Sequence, residues 1–264
     1  MEIIVAKGSV EKKTLQLSEG QQLRINIEER AQLQLLLEGG CGEVTTDVLV
    51  GKGATLDLCD LDLSLVGTTR SHQIHIRQEA DSQVFVQSVS LASGSTTNTT
   101  NVDLCGEGAE LSLNGLVIAG GSQHIDNHTL VQHMVPHTTS HQLFKYVLNE
   151  QSVGTYAGLV KVLSGAHHTV SEQTNRNLCT TREARMFAQP QLEIYNDDVR
   201  CNHGSSTGQL DESALFYMQQ RGISLPEARL LLMSAFAAEV IDQIRIPTLR
   251  DRLHEMVANR FRNF

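Results

Sequence analysis

The sequence contains no tryptophan, and aromatic residues make up only 4% of its 264 positions. The first aromatic residue is Phe85, so the N-terminal third must build its core from aliphatic side chains. Sandwiches and barrels usually fill the space between sheets with bulky aromatics, whereas Val, Ile and Leu fill the narrow interior of a solenoid of short stacked strands. The scarcity of aromatics therefore favours a solenoid over a sandwich.

Positive charge and long apolar runs are also scarce. Lys and Arg number 21 against 30 Asp and Glu, which gives a net charge of −9 and argues against a nucleic-acid partner. No segment approaches an apolar span of about 18 residues, and the N-terminus has no apolar run suited to a secretion signal. We therefore expect no membrane partner and a soluble, cytoplasmic protein.

The cysteines form no recognisable framework. There are five of them, widely spaced and without a C-x-x-C pair. This pattern fits neither a set of disulfides nor a zinc ribbon. We interpret them as thiols in a reducing compartment.

A short alternating pattern recurs in the N-terminal half, with a small residue, a polar residue and then apolar residues two apart. Its copies begin at Ala31, Ala54, Ser82 and Ala109. Apolar residues two apart are typical of a strand with one buried face, and a period of about 20 to 30 residues is typical of successive turns of a coil. We predict a parallel β-helix with two or three strands per turn, in which the four copies stack in register. A jelly roll is the alternative.

After about residue 205 the pattern becomes helical. Residues 211–221 are predicted to form a helix that ends at Gly222, and Ser224 and Glu227 form a capping box that opens a second helix. A third helix is predicted to start near Thr248, because Pro247 disfavours helix in the residue before it.

The chain is thus divided into a β-helix core over residues 1–205 and a helical domain over residues 206–264. A solenoid exposes unpaired strand edges at its last coil, so one role for the helices is to cap that coil. The other is to dock a partner protein. Both roles remain open from the residues alone.

Two short motifs are judged to be coincidental. Residues 204–208 match G-x-S-x-G around Ser206, but a nucleophile elbow needs a parallel sheet with interleaved helices and a later Asp and His, and only helix follows. The Gly-Lys-Gly at residues 51–53 completes no phosphate-binding motif. We expect no ATP hydrolysis by this chain.

Seven of the eleven histidines fall between His124 and His168. They match no H-x-E or H-E-x-x-H metal pattern, and the step of five from His128 to His133 places those two side chains on opposite faces of a strand. The cluster is interpreted as polar ladders on the outside of the coils, with a metal site as the alternative.

The most informative segment is PQLEIYNDDVRCNHG, at residues 190–204. Cys201 and His203 are two apart, so in an extended strand they point the same way. A thiolate takes up sulfur or iron, and a neighbouring imidazole can lower the thiol pKa or bind beside it. The alternative is a Cys that is buried as a small apolar residue beside a surface His.

This segment resembles the SufD family, scaffold proteins of the SUF iron–sulfur cluster assembly system, whose signature is similar to PQLEIYADDVKCSHG. The resemblance continues to Ile223, and upstream it includes Pro136, His137, Gly158 and Gln173. It is detailed over about residues 124–245 and only architectural before them. Three departures are noted: Thr138 stands where many members have Cys, Cys179 stands where Leu is commoner and is interpreted as core, and we expect the family's helical N-terminal region to be missing.

The resemblance implies a right-handed parallel β-helix with a small C-terminal helical domain, acting as a non-catalytic scaffold. It implies a SufB-like homologous partner, a SufC-like ATPase and a transient iron–sulfur cluster, with no permanently bound cofactor. Cys201 and His203 would bind the nascent cluster or iron at the subunit interface. The ATPase would dock on the helices, through Ser224, Glu227, Arg229 and Ile244.

Two further possibilities follow from the residues. Without its partner, the chain is expected to dimerise through its C-terminal coils near residues 199–203. The competing function is a self-contained enzyme, either a metal-dependent or carbohydrate-active β-helix or a hydrolase using Ser206. The aromatic count makes a carbohydrate-binding groove a poor fit.

Overall fold

A computed structural model describes residues 1–264, which form sixteen strands followed by three helices. The strands are β1 (Glu2–Val5), β2 (Val10–Leu17), β3 (Gln22–Ile27), β4 (Gln32–Gly39), β5 (Gly42–Val50), β6 (Thr55–Asp62), β7 (Thr69–Gln78), β8 (Gln83–Ser90), β9 (Ser95–Leu104), β10 (Glu110–Ala119), β11 (His124–His133), β12 (Thr139–Leu148), β13 (Val153–Val162), β14 (Val170–Cys179), β15 (Arg185–Ile194) and β16 (Arg200–Gly208). The helices are α1 (Glu212–Gln220), α2 (Leu225–Ile241) and α3 (Pro247–Phe261).

The strands form two parallel sheets of eight strands each. One sheet runs in the order β1-β3-β5-β7-β9-β11-β13-β15, and the other contains the even-numbered strands in the order β16 to β2. Each turn of the chain therefore adds one strand to each sheet. The β-helix prediction is confirmed, with two strands per turn, and the jelly roll is wrong because every pairing is parallel.

The four repeat copies stack as predicted. Leu33 of β4 pairs in register with Leu56 of β6, which pairs with Val84 of β8 and then with Leu111 of β10. Most interior side chains of β3 to β6 are aliphatic and buried, as at Leu35 and Leu58. Burying one such side chain contributes about 1.5–3 kcal/mol, so a narrow interior without aromatics is sufficient.

The second helix begins at its predicted cap, and the first begins one residue after its predicted start. Asp211 accepts from the backbone N–H of Ser213 at 2.8 Å, and the Ser224 hydroxyl accepts from that of Glu227 at 3.4 Å. Gly222 ends the first helical segment with a φ of +85°, a conformation that other residues adopt at a cost. The third helix starts at Pro247, whose missing N–H is unneeded at the first helical position.

Helices α2 and α3 cover the outer face of the even-numbered sheet. Met233, Ala237 and Leu253 pack against outward-facing apolar residues of the central strands, which include Cys59, Leu61, Val89, Leu116 and Val147. The capping role is therefore wrong, because the helices lie along the side of the solenoid and not over its last coil. Neither these helices nor α1 combine the length and apolar character of a membrane-spanning helix.

The last turn, β15 and β16, is the end of both sheets. Its residues are half-buried or exposed along their whole length. Residues 204–208, which carry the G-x-S-x-G match, belong to β16 and do not form a turn. The strand also continues past the predicted boundary at residue 205, because pairing with β14 extends to Gly208.

Candidate functional site

Cys201 and His203 lie on β16, on the face that points into the solenoid. Their register partners on β14 are Ser171 and Gln173, both fully buried interior residues. The prediction that the two side chains share a face agrees with the two-residue repeat of the strand. No further coil covers these two residues, because β15 and β16 are the last strands of their sheets. The open end of the solenoid is the end formed by β15 and β16.

Cys201 is half-buried and packs against the edge of the interior core. Burial raises the pKa of its thiol, and a hydrogen bond involving the Ser171 backbone opposes that effect. His203 is exposed. A thiol with a raised pKa stays protonated until a metal ion or a cationic neighbour displaces the proton. Cys201 and His203 together supply two possible metal ligands, which is an incomplete set.

The open end also presents unpaired main chain. The N–H of Arg200 donates to Thr169 of the preceding turn, so alternate residues of β16 direct their N–H and C=O groups to the other, unpaired side. Those residues are Cys201, His203, Ser205 and Thr207. On β15 the N–H of Arg185 likewise donates to Ser152, which places Pro190 where its missing N–H would face the open edge. This edge can accept another strand.

The predicted docking residues separate into two groups. Ser224, Glu227 and Arg229 are exposed and line a groove of about 660 Å³ between the start of α2 and the end of α3. Ile244 is only 2% exposed and packs under the helices. It therefore stabilises the contact between helices and sheet instead of forming an exposed surface.

The histidines divide between the outside and the inside of the coils. His124, His141 and His168 are exposed, but His133 is fully buried and its two ring nitrogens lie 2.7 Å from Thr138 Oγ1 and 2.9 Å from Ser140 Oγ. The predicted change of face at His133 is confirmed. No group of three or more His, Cys, Asp or Glu side chains is placed to hold a metal ion.

Sequence reasoning missed a buried charged cluster in the interior. Arg70 donates to Asp60 Oδ1 at 2.6 Å, His72 Nδ1 lies 3.1 Å from Asp60 Oδ2, and Thr46 Oγ1 lies 2.9 Å from His72 Nε2. Burial would raise the pKa of Asp60, but Arg70 and His72 hold it well below its usual range. All four residues are at most 2% exposed.

The order of Thr46, His72 and Asp60 resembles a hydrolytic triad, but a buried hydroxyl cannot meet a substrate. The sequence pattern could have predicted the burial of Asp60, because Asp60 follows Leu56 and Leu58 at the same two-residue spacing and so points to the interior with them. Ser206 lies on the exposed strand β16, and its hydroxyl makes no hydrogen bond to a His or carboxylate side chain. The rejection of the G-x-S-x-G motif is consistent with this geometry.

The fold and the open end define a class of protein, a parallel β-solenoid with a flanking helical layer and an incomplete Cys–His pair at an unpaired sheet edge. A family model described as "SUF system FeS cluster assembly, SufBD core domain" matches residues 6–236. The chain therefore belongs to the SufBD family. The match begins far upstream of residue 124, where the resemblance was only architectural.

Individual relatives agree with this family. An iron–sulfur cluster assembly SufBD family protein of Synechocystis is 32% identical over 204 residues, which cover 70% of this chain and 45% of that protein. The iron–sulfur cluster assembly protein SufD of Escherichia coli is 31% identical over 180 residues, covering 68% and 43%. SufD of Bacillus subtilis is 26% identical over 215 residues, covering 81% and 49%. The chain spans less than half the length of these relatives.

Proposed function

We propose that this chain is a non-catalytic scaffold subunit in iron–sulfur cluster assembly. Its last turn would pair with a SufB-like homologous subunit, and its helices would dock a SufC-like ATPase that supplies the hydrolysis. The observation that carries the proposal is the open end, where Cys201 and His203 lie beside main-chain groups that have no partner strand.

The nascent cluster is the cargo of this site. The Cys201 sulfur and a His203 ring nitrogen are ligands that suit the iron ions of such a cluster. Binding would release the thiol proton, which the raised pKa of Cys201 otherwise retains. Two ligands do not complete a site, so the homologous subunit would supply the others and the cluster would be held transiently.

The ATPase contact is assigned to the exposed faces of α1 and the start of α2. These faces carry exposed apolar side chains, at Phe216, Tyr217 and Leu231. The exposed polar residues Ser224, Glu227 and Arg229 lie between Tyr217 and Leu231 in the sequence. The helices are bound firmly to the solenoid, since Lys145 of β12 donates to the Phe236 carbonyl of α2 at 2.9 Å and pairs with Glu239. Movement of α2 by the ATPase would therefore be transmitted to the strands near the open end.

The cluster-binding role is tested with the double variant Cys201→Ser and His203→Ala in the complex with the SufB-like and SufC-like proteins of its own source. Anaerobic iron and sulfide analysis should show a sharp loss of assembled cluster while the complex still forms. The matched control is Cys41→Ser with His124→Ala, which changes the same residue types at exposed positions elsewhere. Assembly by the double variant at the unmodified rate would assign the site to the partner alone.

The docking role is tested by surface substitution, because deletion of residues 224–264 would uncover the apolar face of the sheet. Arg229→Glu combined with Leu231→Glu should abolish pull-down of the ATPase with little change in stability. Ile4→Glu is the control, since Ile4 is 56% exposed on β1. Undiminished pull-down by the helix variant would move the contact to another surface.

A further inference from the structure

A buried amide without a full set of partners lies directly beneath His203. Gln173 is fully buried, and its Nε2 donates to the Tyr156 hydroxyl at 3.1 Å. Its Oε1 has no hydrogen-bond partner. A buried acceptor without a donor destabilises the fold, so this oxygen needs an explanation.

Each rung is a pair of inward side chains at paired positions of neighbouring strands. The two rungs between β14 and β16 that follow Gln173 and His203 are joined by side-chain hydrogen bonds. Ser205 Oγ donates to Asn175 Oδ1 at 3.1 Å, and Asn177 Nδ2 donates to Thr207 Oγ1 at 3.1 Å. Ser205 and Thr207 share the inward parity of His203. In the rung formed by Gln173 and His203, by contrast, the acceptor Gln173 Oε1 has no hydrogen-bond donor.

The surrounding residues hold the Gln173 amide in place. A Cβ atom at Gly158 would lie 2.3 Å from Gln173 Nε2 and 2.5 Å from the Tyr156 hydroxyl oxygen, so their hydrogen bond needs glycine at this position. With its nitrogen bonded to Tyr156, the amide has its oxygen available. That oxygen has two lone pairs, so it can accept from Gln142 Nε2, which also lacks a partner at the paired position on β12, as well as from a ring on β16.

We propose that Gln173 is a positioning residue for His203. Its Oε1 accepts the N–H of one ring nitrogen of His203, which fixes the tautomer and leaves the other nitrogen unprotonated at the open end. An exposed imidazole reaches this arrangement by rotation of its side chain. Histidines that bind metals usually donate their second ring N–H to such an acceptor, so the use of the free nitrogen for iron rests on the proposed function.

The test is nitrogen NMR of the full chain labelled with ¹⁵N-histidine, at a pH where the imidazoles are neutral. His203→Ala identifies the His203 signals. His203 should be a single tautomer in the unmodified protein and a mixture in Gln173→Leu, whereas Gln173→Glu retains an acceptor and should restore one tautomer. Gln142→Leu is the matched control, because it removes the same side chain one rung lower, and it should leave the His203 signals unchanged.

The signals of the other histidines report whether each variant remains folded. If Gln173→Leu does not fold, Tyr156→Phe releases the amide nitrogen instead and should also give a mixture. A mixed tautomer in the unmodified protein, or a single one in both Gln173→Leu and Tyr156→Phe, would overturn the proposal. The measurement needs neither iron nor a partner, so its failure is distinguishable from a failure of the cluster-assembly role.

Discussion

At the scale of single residues, the interior of this solenoid changes from apolar to polar within single strands. Leu58 of β6 packs among aliphatic side chains, whereas Asp60, two residues later on the same strand, forms a buried polar cluster with Arg70, His72 and Asn98. Arg70 donates to both Asp60 and Asn98, so polar side chains of the protein compensate its buried guanidinium. The cost of burying these charges is offset only while every partner is present.

The substitution Asp60→Asn should therefore destabilise the fold by about 3–5 kcal/mol, because it leaves Arg70 as a buried charge without its ion pair. Urea unfolding measures the change. Asp47→Asn on the adjacent strand β5 is the control, since Asp47 is exposed and should shift stability by less than about 0.5 kcal/mol. Equal effects of the two substitutions would show that the buried pair contributes nothing specific.

His133 should make stability depend on pH. Burial lowers its pKa to about 4 from an ordinary value of 6.5. Between these values the unfolded chain binds a proton that the folded chain does not, so the free energy of unfolding falls as the pH falls. The loss should approach about 3 kcal/mol near pH 4, at about 1.4 kcal/mol per pKa unit.

The measurement is the free energy of unfolding from pH 7.5 to pH 4.5, for the unmodified chain and for His133→Gln. Glutamine retains polar contacts to Thr138 and Ser140 but does not titrate. The variant should lose less stability on acidification. Parallel curves for the two proteins would contradict the assignment to His133.

At the scale of elements, the two sheets have different outer faces. The even-numbered sheet carries apolar residues outward on its central strands, and α2 and α3 cover them with a second core. Charged contacts add to this layer, since Arg245 of the connecting segment pairs with Asp57 at 3.2 Å and Arg252 pairs with Glu38. The helices and sheet are expected to unfold together.

Leu253→Ala should cost about 2–5 kcal/mol, because Leu253 is fully buried in that second core. Leu231→Ala on α2 changes the same residue type where it is 46% exposed, and should cost far less. Circular dichroism during urea unfolding should show helix and strand signals lost in one transition for both variants. Separate transitions would mean that the helices fold independently of the sheet. Similar losses of unfolding free energy in the two variants would mean that the burial of Leu253 does not stabilise the contact between helices and sheet.

At the scale of the whole molecule, the solenoid ends in an unpaired edge that another chain can complete. In the absence of the homologous subunit, we predict self-association of this chain through β15 and β16. Light scattering after size-exclusion chromatography should give the mass of a dimer at protein concentrations in the range of tens of micromolar. A strict monomer in that range would contradict the prediction.

Ser205→Pro should weaken this dimer by about tenfold or more, because it removes an N–H on the unpaired side of β16 without removing a ladder bond to β14. Ser205→Ala is the matched control, since it removes the same hydroxyl, which donates to Asn175 Oδ1, but keeps the main-chain N–H. If both variants dimerise as the unmodified chain does, the contact lies on another surface.

The sequence by itself determined the strand repeat, the end of the first helix at Gly222, the cap of the second helix and the shared face of Cys201 and His203, because these follow from local periodicity and short-range hydrogen bonding. Only the tertiary structure decided where the helices pack. The apolar side of α2 shows that it is buried, but not whether the last coil or the flank of the sheet covers it. The same holds for Asp60 and Ile244: their burial depends on neighbours that are distant in sequence, which local patterns do not specify.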